Sequence, residues 1–479
     1  MGNYVRASLY ALGLGVTCIS VAACSSDDGT SPAPDSGASD ATPDVVLDTA
    51  APDADSGPAL VDNTWTTAEW TKIQTLSPLP AVPKDTTNKY ADDANAAKLG
   101  QMLFYDRSYS GALTVGNDGT NGGLGAIGET GKVSCASCHG KTAPTMDDDR
   151  STPPNVSLGT NFGTRNALSI VNSSFYAWTN WGGRFDSQWS LPLTVAENGN
   201  IMKSSRLQIA HMIWDKYKTE YEAVFGALDP DLDPNAGGAA RFPASGKPKA
   251  QTSDPDGAWE GMAVNDQKIV NRIYANYGKA LQAYMRLVVS RNTDLDKYVA
   301  GTYGALSTNE KEGLRVFIGK GKCVTCHSGP NMADDQFYAL GVPQTGPHVP
   351  ATDNGRFQDV PGLLTSIFNV NGDYSDDKTT TKLTGLAQDP GQKGRFRTKS
   401  LRGVSRSGPY MHSGQFATLE EVVDFYDVGG GDVGDAGAVK DPKITPLGLT
   451  AAEKQNLVAF MKKLEGEAVA PALLKDTSK

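Results

Sequence analysis

Lys132-Val133-Ser134-Cys135-Ala136-Ser137-Cys138-His139 and, 188 positions further on, Gly321-Lys322-Cys323-Val324-Thr325-Cys326-His327 decide how this 479-residue chain is read. Each copy contains CxxCH, the attachment signature of c-type haem. The two thiols form thioethers to the vinyl groups, and the adjacent imidazole is then placed to ligate the iron. A zinc site and a redox CxxC pair compete with that reading. Zinc wants four Cys/His ligands in the fingered spacing, and that spacing is absent. With only five His in the chain, two falling by chance directly behind both CxxC pairs is a poor account. Two covalently bound haem c groups are therefore expected, on Cys135 and Cys138 and on Cys323 and Cys326, with His139 and His327 as iron ligands. Each motif follows a helix-like segment carrying an apolar–Phe pair, Leu103-Phe104 and Val316-Phe317, so the chain reads as two similar modules.

Outward from the motifs, helical periodicity dominates. Ala91–Asp106 presents Leu99, Met102 and Leu103 on one face. Ser204–Phe225 spaces Leu207, Ala210, Trp214, Tyr217, Tyr221 and Val224 as a helix does, and Asn265–Ser290 repeats the pattern. Ser307…Glu310, Thr418…Glu421 and Thr450…Glu453 are capping boxes, each opening an apolar periodic segment. Strand-like alternation is scarce, and 52 Gly and 27 Pro leave room for long loops such as Asp229–Trp259. The expected fold is mostly α, with two cytochrome c-like haem domains joined by long loops, residues 66–300 and 301–465, and a tail at 466–479.

The first residues read as an address. One Arg precedes the apolar stretch Ala7–Ala22, too short for a membrane span, which ends Val21-Ala22-Ala23-Cys24. Residues 1–23 are expected to be a lipoprotein signal peptide and Cys24 the lipidated residue, with an ordinary signal peptide cut near Ala23 as the alternative. Acyl chains hold a protein to a membrane without a spanning helix. Residues 24–65 follow as an acidic tether poor in large apolar side chains and expected to be disordered. The net charge of −10 belongs chiefly to this tether: nine Asp in 25–62 and one Arg before them leave the remaining residues at −2. A basic face for nucleic acid is excluded. A periplasm-facing lipoprotein of the bacterial cell envelope is expected.

With these residues in view, the chain resembles the bacterial dihaem cytochrome c peroxidases and their MauG-type relatives over about residues 90–465. The pieces come in that family's order: Leu99-Gly-Gln-Met-Leu-Phe-Tyr-Asp106, the first CxxCH, Arg165-Asn166, Trp181-Gly-Gly-Arg184 and Pro192…Glu197. The second CxxCH, Asp353-Asn-Gly-Arg356, Ser400-Leu-Arg402, Gly408-Pro-Tyr-Met-His412-Ser-Gly414 and Thr418-Leu-Glu-Glu-Val-Val-Asp-Phe-Tyr426 complete the set. Any one piece is weak; the ordered set is specific.

The resemblance implies a division of labour. The haem on His139 is the peroxide-reacting centre and the haem on His327 the electron relay. Many relatives cap the first haem with a second His soon after its motif, whereas here no His occurs between Gly140 and Ala210. A five-coordinate or water-bound first haem follows, as in the MauG-type branch. At the second haem the position of the peroxidases' Met ligand is taken by Tyr426; a core role for Tyr426, with Met411 or Met332 ligating, is the alternative. A phenolate is a hard anionic donor and lowers the potential that a thioether raises. Glu197 matches the family's distal carboxylate, with Gln188 and Pro192 beside it, although the segment is a few residues short after Ser187 and one short before Glu197. A solvated loop Glu is its bland reading. Trp181 matches the tryptophan between the haems, or is ordinary core. A calcium ion is implied at the Asn166 side chain and the Ser407 and Pro409 carbonyls, oxygen donors as a hard cation wants. His412 is expected near a haem propionate rather than on iron; His211 and His348 are expected in the packed or loop structure. The activity so implied is reduction of hydrogen peroxide, with a small cytochrome or cupredoxin as electron donor. The alternatives are a MauG-type enzyme oxidising Trp or Tyr of a partner protein, and a non-enzymatic dihaem electron carrier.

Overall fold

The computed structural model describes residues 60–115, 123–139, 154–433 and 437–479. The expected signal peptide, Cys24 and the tether as far as residue 59 lie outside the described residues. The described residues are mostly helical, about 37% helix with little strand. In chain order the helices are α1 (Thr67–Gln74), α2 (Ala94–Tyr105), α3 (Cys135–Cys138), α4 (Leu191–Glu197), α5 (Arg206–Phe225) and α6 (Val264–Met285). They continue as α7 (Asp294–Val299), α8 (Thr308–Ile318), α9 (Arg356–Leu364), α10 (Leu419–Asp427) and α11 (Ala451–Lys462). Two two-residue strands, β1 (Phe337–Tyr338) and β2 (Phe396–Arg397), pair antiparallel. The capping boxes expected at Ser307, Thr418 and Thr450 all form, and Thr66 with Glu69 and Thr293 with Asp296 add two more.

Two hydrophobic cores organise these helices. The first gathers α2, α5 and α6 around Leu103, Phe104, Trp189, Tyr217, Tyr277 and Tyr284. The second gathers α8 and α11 around Leu314, Phe317, Leu457 and Phe460. The sequence repeat is also a repeat of packing. In each core the helix before CxxCH crosses the closing helix at a glycine: a Cβ on Gly100 would lie 1.9 Å from the Ala280 carbonyl oxygen, and one on Gly313 would lie 1.9 Å from that of Asn456. Four residues on, an aromatic pair seals each crossing. Phe104 meets Tyr284 at 5.1 Å and 54°, and Phe317 meets Phe460 at 5.5 Å and 57°. One turn of helix puts the glycine and the Phe on the same face, which is why both copies keep that spacing.

The chain ends cross over. Trp65, Ile73 and Leu76 were expected in the first domain or at the end of the tether, but they are buried in the second core. Trp65 donates from Nε1 to the Tyr298 hydroxyl at 2.6 Å, and Arg315 pairs with Glu69 at 2.5 Å, so α1 has its partners on α7 and α8. Conversely, the tail beyond residue 466 packs on the first core. Val469 is buried there, Tyr284 Oη donates to the Leu473 carbonyl at 2.6 Å, and Gln101 Nε2 donates to that of Ala472 at 2.8 Å. The long loop at 229–259 is also tied down, by Leu232, Phe242 and Trp259.

Candidate functional site

Cys135 and Cys138 form the short α3, directly behind α2 and its crossing. Burial pushes the Cys135 thiol up to about 12, against the partly opposing hydrogen bonds of Tyr109 and Tyr277. Burial likewise pushes Cys323 up to about 12. Among the described residues no group of three or more His, Cys, Asp or Glu is placed to hold a metal ion.

At the second motif a cavity of about 320 Å³ is bounded by Cys323, Cys326 and His327 and by Tyr426 of α10. Phe317, Leu340, Leu401, Val423 and Leu457 supply apolar wall, which suits a flat macrocycle. The His327 imidazole lies 3.1 Å from the Met332 carbonyl through Nδ1. That bond makes Nδ1 the donor and leaves the Nε2 lone pair for a metal. Burial holds the ring below its usual basicity, in the neutral form a ligand needs. The cavity and the oriented imidazole therefore fit a haem held by Cys323, Cys326 and His327.

Of the alternative sixth ligands, Met332 is fully buried in the second core, whereas Tyr426 and Met411 both border the cavity. Burial, with the nearby Cys326 and Cys323 sulfurs, raises the Tyr426 phenol above its usual value.

Trp181 borders the same cavity, donates from Nε1 to the Asn166 carbonyl at 2.7 Å and meets the His412 ring at 6.2 Å. The Trp181-Gly-Gly turn is tightly held. A Cβ on Gly182 would reach the Asp359 carboxylate at 2.0 Å, and Gly183 has φ +65°. Arg356 donates to the Gly182 and Gly183 carbonyls at 3.2 and 2.6 Å from between the Trp178 and Phe337 rings. Arg165 grips Asp353 at 2.6 and 2.7 Å and Asp359 at 2.7 Å. Arg402 donates to the Pro330 carbonyl at 2.6 Å and to both oxygens of Asp296 at 2.8 Å. The arginine motifs are thus clamps around the cavity. His412 stacks on Phe396 at 3.6 Å and 15° and contacts Gln344; burial drives its basicity down to about 3.

Asn166 and Pro409 are brought together, with Asn166 Nδ2 donating to the Pro409 carbonyl at 2.6 Å, and Ser407 borders the cavity beside them. Ser157 donates to Asn166 Oδ1 at 3.2 Å.

Gln188 bonds Ser174 at 3.0 Å and Ser173 at 2.7 Å, and Pro192 is buried in the first turn of α4. Glu197 ends α4 as the half-buried partner of an ion pair rather than as a solvated loop residue. Arg206 reaches its Oε1 through Nε at 2.9 Å and through the backbone N–H at 3.0 Å, and its Oε2 through Nη2 at 2.8 Å. Arg206 itself lies under the Trp259, Tyr274 and Phe368 rings. Its part was missed in the sequence, where only its place at a helix start was visible. His211 bonds the Phe242 and Pro243 carbonyls, and His348 stacks on Phe162. Lys399 was also missed: it is half-buried, 4.6 Å from the Trp181 ring, and desolvation lowers its ammonium well below its usual basicity.

Two CxxCH loops, each following an equivalent helix crossing, are the marks of a c-type haem protein. A family model described as di-haem cytochrome c peroxidase matches residues 94–304. Cytochrome-c peroxidase IdrP1 of Denitromonas iodatirespirans is 30% identical over 82% of this chain and 87% of its own length. IdrP2 of the same organism is 28% identical over 80% and 86%. Among solved structures, the diheme peroxidase BthA of Burkholderia thailandensis E264 superposes with a TM-score of 0.54 at 20% identity, covering 81% of this chain and 91% of BthA. The chain belongs to the di-haem cytochrome c peroxidase family. Membership implies two c-type haems and an oxidoreductase of the haem peroxidase class.

Proposed function

We propose that this chain reduces hydrogen peroxide at a haem on Cys135, Cys138 and His139 and relays electrons through a second haem on Cys323, Cys326 and His327, each in its own cytochrome c-like domain. The observation that carries the reading is the apolar cavity bounded by His327 and Tyr426, with His327 Nδ1 committed to the Met332 carbonyl. When bound, the haems supply the redox chemistry. The chain's own part is to orient and to move a proton. Gln188 and Pro192 shape the approach to the first haem, and Glu197 takes the peroxide proton and returns it. Oε1 of Glu197 already accepts two Arg206 donors and Oε2 one, so Oε2 is the oxygen with acceptor capacity left. Trp181 couples the two haems, and His412 steadies the propionate side. Asn166, Ser407 and Pro409 would hold a calcium ion, the Asn166 side chain lying beside the Pro409 carbonyl. Cys24 carries lipid and anchors the enzyme to a membrane of the cell envelope, facing the periplasm. Among the described residues no helix is long and apolar enough to cross a membrane.

The test is stoichiometric peroxide added to the diferric protein while the Soret and near-infrared bands are followed. Conversion, followed by return on adding a reduced small cytochrome or cupredoxin, is expected. An unchanged spectrum would make the chain a dihaem electron carrier. Tyr426 at the cavity wall favours a second reading, in which the oxidising equivalents are shared by both haems and drawn off to a Trp or Tyr of a partner protein. A long-lived shared state that Tyr426→Met abolishes supports it; if that state persists in the variant, Tyr426 is not the ligand.

A further inference from the structure

Tyr338 borders the His327 cavity without being needed to hold a haem there. Its hydroxyl donates to Asp334 Oδ2 at 2.6 Å and accepts from Lys443 Nζ at 2.9 Å, with the same ammonium 4.6 Å from the ring centre. The phenol is 8% exposed, Asp334 is half-buried and Lys443 is exposed, so the triad runs from the cavity to solvent. It is tied to the attachment loop at two points: the Asp334 N–H donates to the Cys326 carbonyl at 3.0 Å, and the Tyr338 hydroxyl neighbours the Cys326 sulfur. Burial and then the Asp334 carboxylate push the phenol above its usual value, so it is protonated at neutral pH. Oxidising a protonated phenol is easy only when the proton has somewhere to go, and Asp334 is already in place to take it.

The first motif makes the contrast. Tyr109 and Tyr277 neighbour Cys135, but their hydroxyls bond each other at 2.9 Å and Tyr109 reaches the Leu103 carbonyl at 3.2 Å. A peptide carbonyl does not take up a phenol's proton. Among the described residues the two attachment loops are therefore unlike: both have neighbouring tyrosines, and the one at Cys326 is hydrogen-bonded to a base and reaches solvent through Lys443.

We infer that Tyr338, Asp334 and Lys443 form a proton-coupled electron port through which the haem on His327 is re-reduced from outside. This rests on the haem assignment at His327 made above. In the step, Tyr338 gives one electron to the second haem, previously oxidised by hydrogen peroxide acting on the enzyme. The Tyr338 O–H bond breaks and an O–H bond forms on Asp334. Lys443 stays hydrogen-bonded to the phenoxyl oxygen. An external one-electron donor, such as a small electron-transfer protein docking near Lys443, then reduces the neutral tyrosyl radical. The proton returns from Asp334, and triad and charge are restored.

The experiment uses the full-length, haem-loaded protein and the variants Tyr338→Phe and Asp334→Asn, each first checked for two haems per chain and an unaltered resting Soret band. One equivalent of hydrogen peroxide is added without donor. Samples are freeze-quenched for electron paramagnetic resonance, and decay of the oxidised state is followed in H₂O and D₂O. A tyrosyl signal is expected in the parent and is lost in Tyr338→Phe. Asp334→Asn, which keeps the phenol but removes its base, slows formation of the signal by about a hundredfold. The parent's decay is slower in D₂O, and that difference disappears in Tyr338→Phe. A merely structural role would move none of these. The same radical in Tyr338→Phe, or equal decay and equal isotope effect in both proteins, overturns the port while leaving the peroxidase reading intact. A parent spectrum indifferent to peroxide overturns both.

Discussion

Replacing Gly313 by Ala puts the repeat of helix crossings to the test, because two physical effects of opposite sign meet at one atom. Ala is the better helix former by about 1 kcal/mol, and in an open helix interior the substitution stabilises. Gly313 sits in the middle of α8, so on propensity alone the variant is the more stable protein. The added Cβ, however, falls 1.9 Å from the Asn456 carbonyl oxygen and 2.8 Å from Phe460 Cβ. Neither is the free end of a flexible side chain. Restoring ordinary contact requires α8 and α11 to part by about 1.5 Å, and a gap of even 1 Å forfeits about half of each dispersion contact across it. Overpacking of this kind costs about 1–3 kcal/mol, and a backbone obstacle belongs at the upper end. Net of propensity, a loss of about 2 kcal/mol is expected.

The displacement also has a direction. Gly321 N–H bonds the Val316 carbonyl at 2.8 Å, so movement of α8 is passed to the loop carrying Cys323 and His327. Urea unfolding followed by far-UV circular dichroism reads the stability, and the reduction potentials of the two haems read the direction. The second haem's potential is expected to shift and the first haem's to stay; Gly100→Ala, against the Ala280 carbonyl, should do the reverse. A Gly313→Ala protein more stable than its parent would refute the reasoning outright, since only the missing clash could leave the propensity gain uncovered.

Two further outcomes follow from the clamps. Burial alone would raise the Asp296 carboxyl, but Arg402 at 2.8 Å, Ser77 at 2.6 Å and the Thr293 N–H at 3.0 Å hold it down at about 2. A depressed folded-state value contributes stability above the ordinary carboxyl value and loses it as pH falls toward 2, here about 2 kcal/mol. Asp296→Asn should cost about 3–5 kcal/mol at pH 7, because buried Arg402 loses its counter-charge. Urea midpoints should bring variant and parent closer as pH drops from about 4 to 2, and a constant gap would count against the clamp. At the proposed calcium site, chelation with EDTA should lower the thermal midpoint of the parent and leave that of Asn166→Ala unmoved, which itself starts about 1–3 kcal/mol less stable from its broken buried hydrogen bonds. Equal sensitivity of the two proteins to EDTA would remove Asn166 from the ion's ligands.

Much of the molecule was legible because its strongest signals are local. A capping box is a contact over three residues, so Ser307, Thr418 and Thr450 announce their helices without help from the fold. CxxCH is equally local, and the same is true of the Gly-to-Phe spacing in α2 and α8. The route of the first and last described segments was not legible: Trp65 and Leu473 are apolar residues that could serve either core, and their places were settled by Tyr298 and Tyr284, more than 180 residues away in each case. Glu197 could be picked out as an acid, but not the three hydrogen bonds it receives from Arg206.

The paired CxxCH motifs, the helical class and the repeated Gly-to-Phe spacing were determined by the sequence itself, since each depends on residues within a turn or two of one another. The tertiary structure alone decided which side chains share the cavity. Met332 and Met411 look equivalent in the sequence, yet one is core and the other wall. Tyr338 reads as one of 17 tyrosines until folding sets it between Asp334 and Lys443, 105 positions on. The physical reason is that a hydrogen bond or a cavity wall requires proximity in space, which a periodic pattern along the chain does not encode.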